Sequence, residues 1–393
     1  MNRQKPLPLG ELPEKPEYMR QKWAKDNVVD EFFPDPYRSR ESFNWFRKRI
    51  FGPSKKYRHL TDFIPKKIRV NQIDPEFEIG FVGDIMPVFQ HDLEFGKSII
   101  KFFKGVDLMV GNLEGIITVQ PKYIMAQRHN LEIMDQLETI ADAENWLLGL
   151  SNNHSGDFGF ADYIFMINKL HWRGFNLMGR KDIPSFLFED KLNFVSGTEW
   201  SNQRGCNYVS SLFDRDKYYD DTKGVMNILF PHWNFEMEAY PRPRMKKRAE
   251  RMIDPNKNYI IDKNNNNENN NNHRGLCWDF IVGHHTHIPQ PITTYQTENV
   301  NKVIAYSLGD FSSALDQKMH NFGLIIRCKV GPLVDSRDTY AVGDLRWEFV
   351  HSEDYAGWRR PKFKDGMEKP DNPPLIKVEV VEKCKYFRKE KNI

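Results

Sequence analysis

"FIVGHHTH", residues 280–287, runs from three apolar residues through Gly283 into His284, His285 and His287. Phe280–Val282 reads as a short buried strand, and Gly283 ends it. The chain has only 12 histidines, so three of them directly after one strand raise the question of what else in the chain could meet them. Four other apolar runs end in the same manner. "FEIGFVGD" (77–84) ends in Asp84, and "VDLMVGNLEG" (106–115) delivers Asn112 and Glu114. "WLLGLSNNHSGD" (146–157) delivers Asn152, Asn153 and His154, and "GVMNILFPHWNFEME" (224–238) delivers His232 and Glu236.

Between these runs lie segments with helical spacing. They are "HDLEFGKSIIKFFKG" (91–105), Leu131–Ala143, "GFADYIFMINKLHWRG" (159–174) and "RMKKRAERMI" (244–253). Short apolar runs alternating with helical segments indicate an α/β architecture. The runs show little polar alternation, as strands covered on both faces do. "FNLMG" (175–179), "KVIAYSLGDFSSAL" (302–315) and "LIKVEVVE" (375–382) add strands, and 185–224 reads as hairpin-like.

Residues 1–75 form an expected N-terminal arm, partly ordered, with a short helix around Glu41–Phe51 that docks on the main domain. The main domain is expected over 76–350 and a C-terminal extension over 351–393. An Asn-rich insertion at about 262–274, containing "NNNNENNNN" (264–272), has no means of building a core and reads as a surface insertion.

Composition narrows the function classes. The 57 basic and 54 acidic residues nearly cancel, so there is no polyanion footprint and no nucleic-acid partner is expected. Cys206, Cys277, Cys328 and Cys384 form no CxxC pair, against both a disulfide framework and a thiolate zinc site. The first residues lack an apolar signal core, and nowhere is there an uncharged apolar run near 20 residues. A cytoplasmic protein without a membrane span is expected.

In an α/β sheet, ligands gather at the carboxyl ends of strands, where loops converge. A Gly-Asp turn, an Asn-rich loop or a lone histidine has a structural reading when taken singly. Five runs ending in metal-competent side chains are better explained by one shared site. Carboxylate, carboxamide and imidazole donors without thiolate suit Mn²⁺, Fe²⁺, Zn²⁺ or Mg²⁺ rather than a structural zinc site, the first three above all. The donors exceed what one tetrahedral ion needs, so two divalent ions sharing a carboxylate are expected, a hydrolase arrangement.

The motifs "GDIM" (83–86), "GNLEG" (111–115), "SNNHSGDFG" (151–159), "HWNFE" (232–236), "GHHTH" (283–287) and "YSLGDF" (306–311) stand in the order used by CapA-type proteins. The chain resembles that family, named for poly-γ-glutamate capsule synthesis and related to the calcineurin-like metallophosphoesterases. The resemblance spans about 78–315. It implies an α/β sandwich of two packed sheets flanked by helices. It also implies that Asp84 binds a first ion, Glu114 bridges both, and Asn153 and His232 bind the second. His285 and His287 would serve one ion each, and His154 would be the general acid. Asn112, Glu236, His284 and Asp310 are implied as supporting or substrate-contacting residues.

The sequence departs from the family pattern at the first motif. Asp84-Ile85-Met86 stands where calcineurin-like enzymes carry Asp-x-His, a gap that CapA-type proteins share. "HWN" replaces "HWG", "SLGD" replaces "SLGN" and "GHHTH" replaces "GHHPH". The expected function is a phosphoesterase acting on a small-molecule or polymer substrate. The alternatives are a factor in capsule-polymer synthesis and a non-catalytic scaffold that retains the fold.

Overall fold

A computed structural model of the chain describes residues 39–120, 126–203, 206–254, 276–314, 320–354 and 373–387. The expected Asn-rich insertion and residues 1–38 of the N-terminal arm lie outside these residues.

In chain order the strands begin with β1 (Lys67–Arg69), β2 (Phe77–Ile85), β3 (Asp92–Phe95), β4 (Leu108–Leu113), β5 (Ile116–Ile117) and β6 (Arg128–His129). There follow β7 (Trp146–Gly149), β8 (Asn176–Met178), β9 (Ser185–Phe188), β10 (Leu192–Thr198), β11 (Met226–His232) and β12 (Phe280–Val282). The last are β13 (Ile292–Gln296), β14 (Asn301–Ala305), β15 (Asp310–Ser312), β16 (Phe322–Leu333), β17 (Ser336–Asp354) and β18 (Leu375–Val381). The helices are α1 (Ser39–Phe51), α2 (Lys97–Phe103), α3 (Ile133–Glu138), α4 (Gly159–Arg173) and α5 (Pro243–Ile253).

Two large sheets face each other. One runs β3-β18-β17-β16-β2-β4-β7-β8, with β1 on β17 and β15 on β2; the other runs β13-β14-β12-β11-β10-β9. Strand alternation assigns each side chain a layer. Ile79, Phe81, Leu108, Val110 and Leu147 from the first sheet meet Phe194, Ile228, Phe230, Phe280, Val282 and Val303 from the second. The intervening residues point outward and are covered as well. Val82, Met109 and Leu148 pack with α2 and α4 side chains such as Ile99, Phe103, Ile164 and Leu170. Val195, Leu229, Ile281 and Ile304 pack with Met245, Ala249 and Met252 of α5. Each strand is apolar at successive positions because both of its faces are inside. The result is the sandwich of two packed sheets flanked by helices that the family resemblance implied.

The flanking segments join the same structure. β18 lies within the large sheet, antiparallel to β17 and parallel to β3. α1 docks through Trp45, whose indole donates to Glu236, and Lys48, which donates to the Glu236 carbonyl at 2.6 Å. Arg242 secures it by donating to both Glu41 oxygens, at 3.1 and 2.8 Å. Two expectations are corrected. The helical spacing over 91–105 resolves into β3 and then α2, split at Gly96, and the helix over 131–143 shortens to α3. The β16–β17 hairpin, the longest pair of strands described, has no counterpart in the sequence reading.

Candidate metal centre

Strands β2, β4 and β7 run parallel, as do β10, β11, β12 and β14 in the other sheet, so their carboxyl ends open onto one edge. Asp84 pairs in register with Asn112 on one side and with Asp310 on the other. Two carboxylates are thereby placed on adjacent strands, a like-charge arrangement that destabilises a sheet unless something positive lies between them. His232, the last residue of β11, forms a parallel bridge with His284, two residues past β12. Gly83 and Gly283, each one residue ahead of the cluster, run against the backbone: a Cβ would overlap Gly309 O at the first and Tyr306 O at the second.

The side chains converge. Asn112 Nδ2 donates to Asp84 Oδ1 at 2.7 Å, and the His285 amide donates to Asp84 Oδ2 at 2.9 Å. His284 Nδ1 lies 3.1 Å from Asp84 Oδ1 and 2.9 Å from His232 Nδ1, tying the carboxylate to the second ring. His232 Nε2 meets Asn153 Oδ1 at 2.8 Å. His287 presents Nδ1 to Asp310 Oδ1 at 2.8 Å and Nε2 to Glu114 Oε1 at 3.8 Å. His154 Nε2 lies 4.0 Å from the same Glu114 oxygen, while its Nδ1 is held at 2.7 Å by Asp157 Oδ2. Glu236 stands at the rim beside α1, and its charge acts on both His285 and His287.

All the residues expected to ligate are therefore in one place, and so are the four expected supporting residues. His284 sits inside the cluster rather than beside it. Two participants were not anticipated: Asp157, which fixes the His154 ring, and His320, 3.6 Å from Asp310 Oδ2. His320 follows no apolar run, and Asp157, which closes "WLLGLSNNHSGD", stands behind the more prominent Asn152, Asn153 and His154.

Asp84, Glu114, His232, His284 and Asp310 are fully buried. Glu114 Oε1, both ring nitrogens of His285, His284 Nε2 and Asp310 Oδ2 have no hydrogen-bond partner. Native interiors rarely leave such atoms unpaired. Ligand atoms of Asp84, Glu114 and His287, and of Glu114, His232 and His285, each lie within 4.8 Å of one another. Glu114 belongs to both sets. His285 and His287 adopt φ of 95° and 57°, a region costly for a residue with a Cβ and found where a site over-determines the backbone.

The protonation states show the same tension. Burial would raise Asp84, yet His284, His287 and Asn112 hold its carboxyl at about 2. Burial and the Asp84 charge push Glu114 well above the usual carboxylate range. Burial drives His285 down to about 3 and His232 well below its ordinary value, leaving both neutral, the form that binds metal. His287 is buried too, but Asp310 and Glu114 raise it well above the ordinary imidazole value. A cluster of buried His, Asp and Glu donors with unpaired atoms fits divalent cations by donor type, burial and spacing.

Fold and cluster together define a two-sheet α/β sandwich with a candidate metal centre at the strand ends. A family model described as "Bacterial capsule synthesis protein PGA_cap" matches residues 220–314, which carry His232, His284, His285, His287 and Asp310. The "PGA biosynthesis protein CapA" of Bacillus subtilis (strain 168) is 23% identical over 271 residues, covering 61% of this chain and 63% of that protein. The "Capsule biosynthesis protein CapA" of Bacillus anthracis is 24% identical over 282 residues, covering 63% and 61% respectively. The match thus spans less than two thirds of either relative's length. The chain is similar to CapA-type proteins, and the resemblance carried by the six motifs stands. Among solved structures, a novel phosphatase from Mycoplasma pneumoniae aligns at 13% identity, with a TM-score of 0.36, over 70% of this chain and 95% of that one. Among the described residues no helix is long and apolar enough to cross a membrane.

Proposed function

We propose that this chain is a divalent-metal-dependent hydrolase of phosphoesters. The observation that carries the reading is the double membership of Glu114. It shares one set of ligand atoms with Asp84 and His287 and another with His232 and His285, as a carboxylate between two ions would. In this reading Asp84, Glu114 and His287 would hold the first ion, and Glu114, Asn153, His232 and His285 would hold the second. A pair of such ions neutralises charge on phosphoryl oxygens and makes water acidic enough to react near neutral pH. His154 supplies the proton to the leaving oxygen, with Asp157 fixing the ring through Nδ1 so that Nε2 faces the site. Asn112 and His284 hold Asp84 and His232 in place, and Glu236 lines the approach beside α1.

The test is elemental analysis of protein loaded with Mn²⁺ and desalted, beside turnover of aryl phosphate mono- and diesters. About two equivalents of metal, fewer in His285→Ala, with hydrolysis abolished in Asp84→Asn, are expected. Turnover undiminished in Asp84→Asn refutes the reading. Metal absent from the wild type favours the scaffold.

A second reading, a factor in capsule-polymer synthesis, draws on the PGA_cap match over 220–314 and on the names of the two relatives. It predicts no phosphoester turnover by metal-loaded protein. The hydrolase reading goes with a cytoplasmic location, which cell fractionation checks.

A further inference from the structure

The first motif supplies no histidine: Met86 is apolar and only 1% exposed. Three side chains from elsewhere meet at that edge of the cluster. His287 comes from the loop after β12, Asp310 opens β15, and His320 lies two residues ahead of β16. His287 Nδ1 is 2.8 Å from Asp310 Oδ1, and Asp310 Oδ2 is 3.6 Å from His320 Nδ1. The two imidazoles stand edge to face with centroids 5.0 Å apart. Ligand atoms of the three residues lie within 4.8 Å of one another.

A plainer role is available for each residue. Carboxylates often orient ligating histidines, and a lone buried histidine is often packing. That account uses Asp310 Oδ1. It leaves Asp310 Oδ2 and His320 Nδ1 buried, 0% and 2% exposed as residues, and without a hydrogen-bond partner. An ion about 2.1 Å from both atoms would see them at roughly 120°, near the tetrahedral range. One contact opposes this geometry. Arg49 Nη1 lies 3.4 Å from His320 Nε2, and a guanidinium only donates, so that pairing suits an imidazole protonated on Nδ1. Arg49 is exposed and can turn into solvent when the proton moves to Nε2.

We infer that Asp310 and His320 complete, with His287, the divalent-cation position for which the first motif supplies no histidine. This rests on the metal-dependent reading above. The test titrates metal-free full-length protein with Mn²⁺ by calorimetry, comparing wild type with His320→Gln, Asp310→Asn, Arg49→Ala and His285→Ala. Co²⁺ loading is followed by visible absorption, and thermal melts of the metal-free proteins verify folding. His320→Gln and Asp310→Asn should each weaken one class of site by more than the about 10–100-fold that loss of an orienting partner costs and alter the Co²⁺ bands, while His285→Ala affects the other class. Arg49→Ala should bind as tightly as wild type or tighter. If folded His320→Gln and Asp310→Asn bind two ions with wild-type affinity and an unchanged Co²⁺ spectrum, the inference falls and the metal reading survives. A wild type that binds no ion overturns both.

Discussion

Gly283 offers the most direct test of how the fold delivers the cluster. Its φ lies outside the left-handed region, so replacing it with alanine probes space alone. The new Cβ would overlap Tyr306 O and the Trp233 indole nitrogen and would lie 3.0 Å from Tyr306 C. Trp233 Nε1 donates to that carbonyl at 2.9 Å in a buried setting, and the Gly283 amide and carbonyl are themselves bonded at 2.8 and 2.9 Å. The methyl therefore cannot be absorbed by a flexible side chain. Overpacking costs about 1–3 kcal/mol, and parting the indole from its acceptor costs a further ~1–3 kcal/mol, giving about 4 kcal/mol at the centre. An unfolding entropy of about 2.1 cal/mol/K per residue over 393 residues is about 0.8 kcal/mol/K, so Tm should fall by about 5 °C. His284 and His285 follow directly, so Mn²⁺ occupancy should fall with it. Differential scanning calorimetry and elemental analysis read both quantities. A Gly283→Ala protein that melts within about 1 °C of wild type and keeps its metal would refute the packing described for this crossing.

The remaining expectations are narrower. His154→Gln and Asp157→Asn should each reduce phosphoester turnover by about 10²–10³-fold with metal content unchanged, which separates a proton donor and its orienting partner from a ligand. Trp45→Ala should cost about 3–5 kcal/mol, because the indole is 7% exposed and donates to Glu236; an unchanged melt would mean that α1 is not part of the folded unit. With thiol reagent at pH 8, Cys277, the only one of the four not fully buried, should react first; burial pushes the Cys206 thiol up to about 12, and it should stay silent until unfolding. Cation binding should release protons: burial and the Asp84 charge raise Glu114, and Asp310 and Glu114 raise His287 against burial, so both shifts favour protonated forms that ligation must displace. Affinity should then rise with pH, and calorimetry in buffers of different ionisation enthalpy should show net release; no release would contradict these states.

Much of the site was legible because its residues follow apolar runs. Asp84, Glu114, Asn153, His232, His285 and His287 each stand at or just past a strand that is covered on both faces, and a strand of that kind is visible in sequence. What pairing adds is not visible. That Asp310 lies in register beside Asp84 depends on β15 packing parallel to β2, a contact between distant segments. His320 precedes its strand instead of following it, and Asp157 looks like ordinary loop composition in "SNNHSGDFG". The β16–β17 hairpin escaped notice since its strands, with Arg327 and Lys329 in one and Arg346 and Glu348 in the other, break the pattern of unbroken apolar runs. β3 was absorbed into a helix because "DLEF" has no turn signal before Gly96.

The distribution of local conflict supports a functional reading of the strand-end edge. Much of the fold is locally consistent: alternating strand residues fill two interiors, α4 closes on Gly174 with φ of 108°, and α5 begins with Pro243 at its first position, although single departures occur elsewhere, such as Phe89 at φ 53° and the unpaired Trp278 Nε1. At the strand-end edge three kinds of departure coincide. Two carboxylates sit side by side on paired strands, two histidines take positive φ, and buried nitrogens and oxygens go unpaired. Each departure is costly by itself, and none improves packing. A single change, cations placed among Asp84, Glu114, His285 and Asp310, would relieve the carboxylate repulsion and occupy the unpaired atoms at once. Conflicts that share one remedy are the pattern a metal centre would leave, and they favour the metal-dependent proposal over the scaffold.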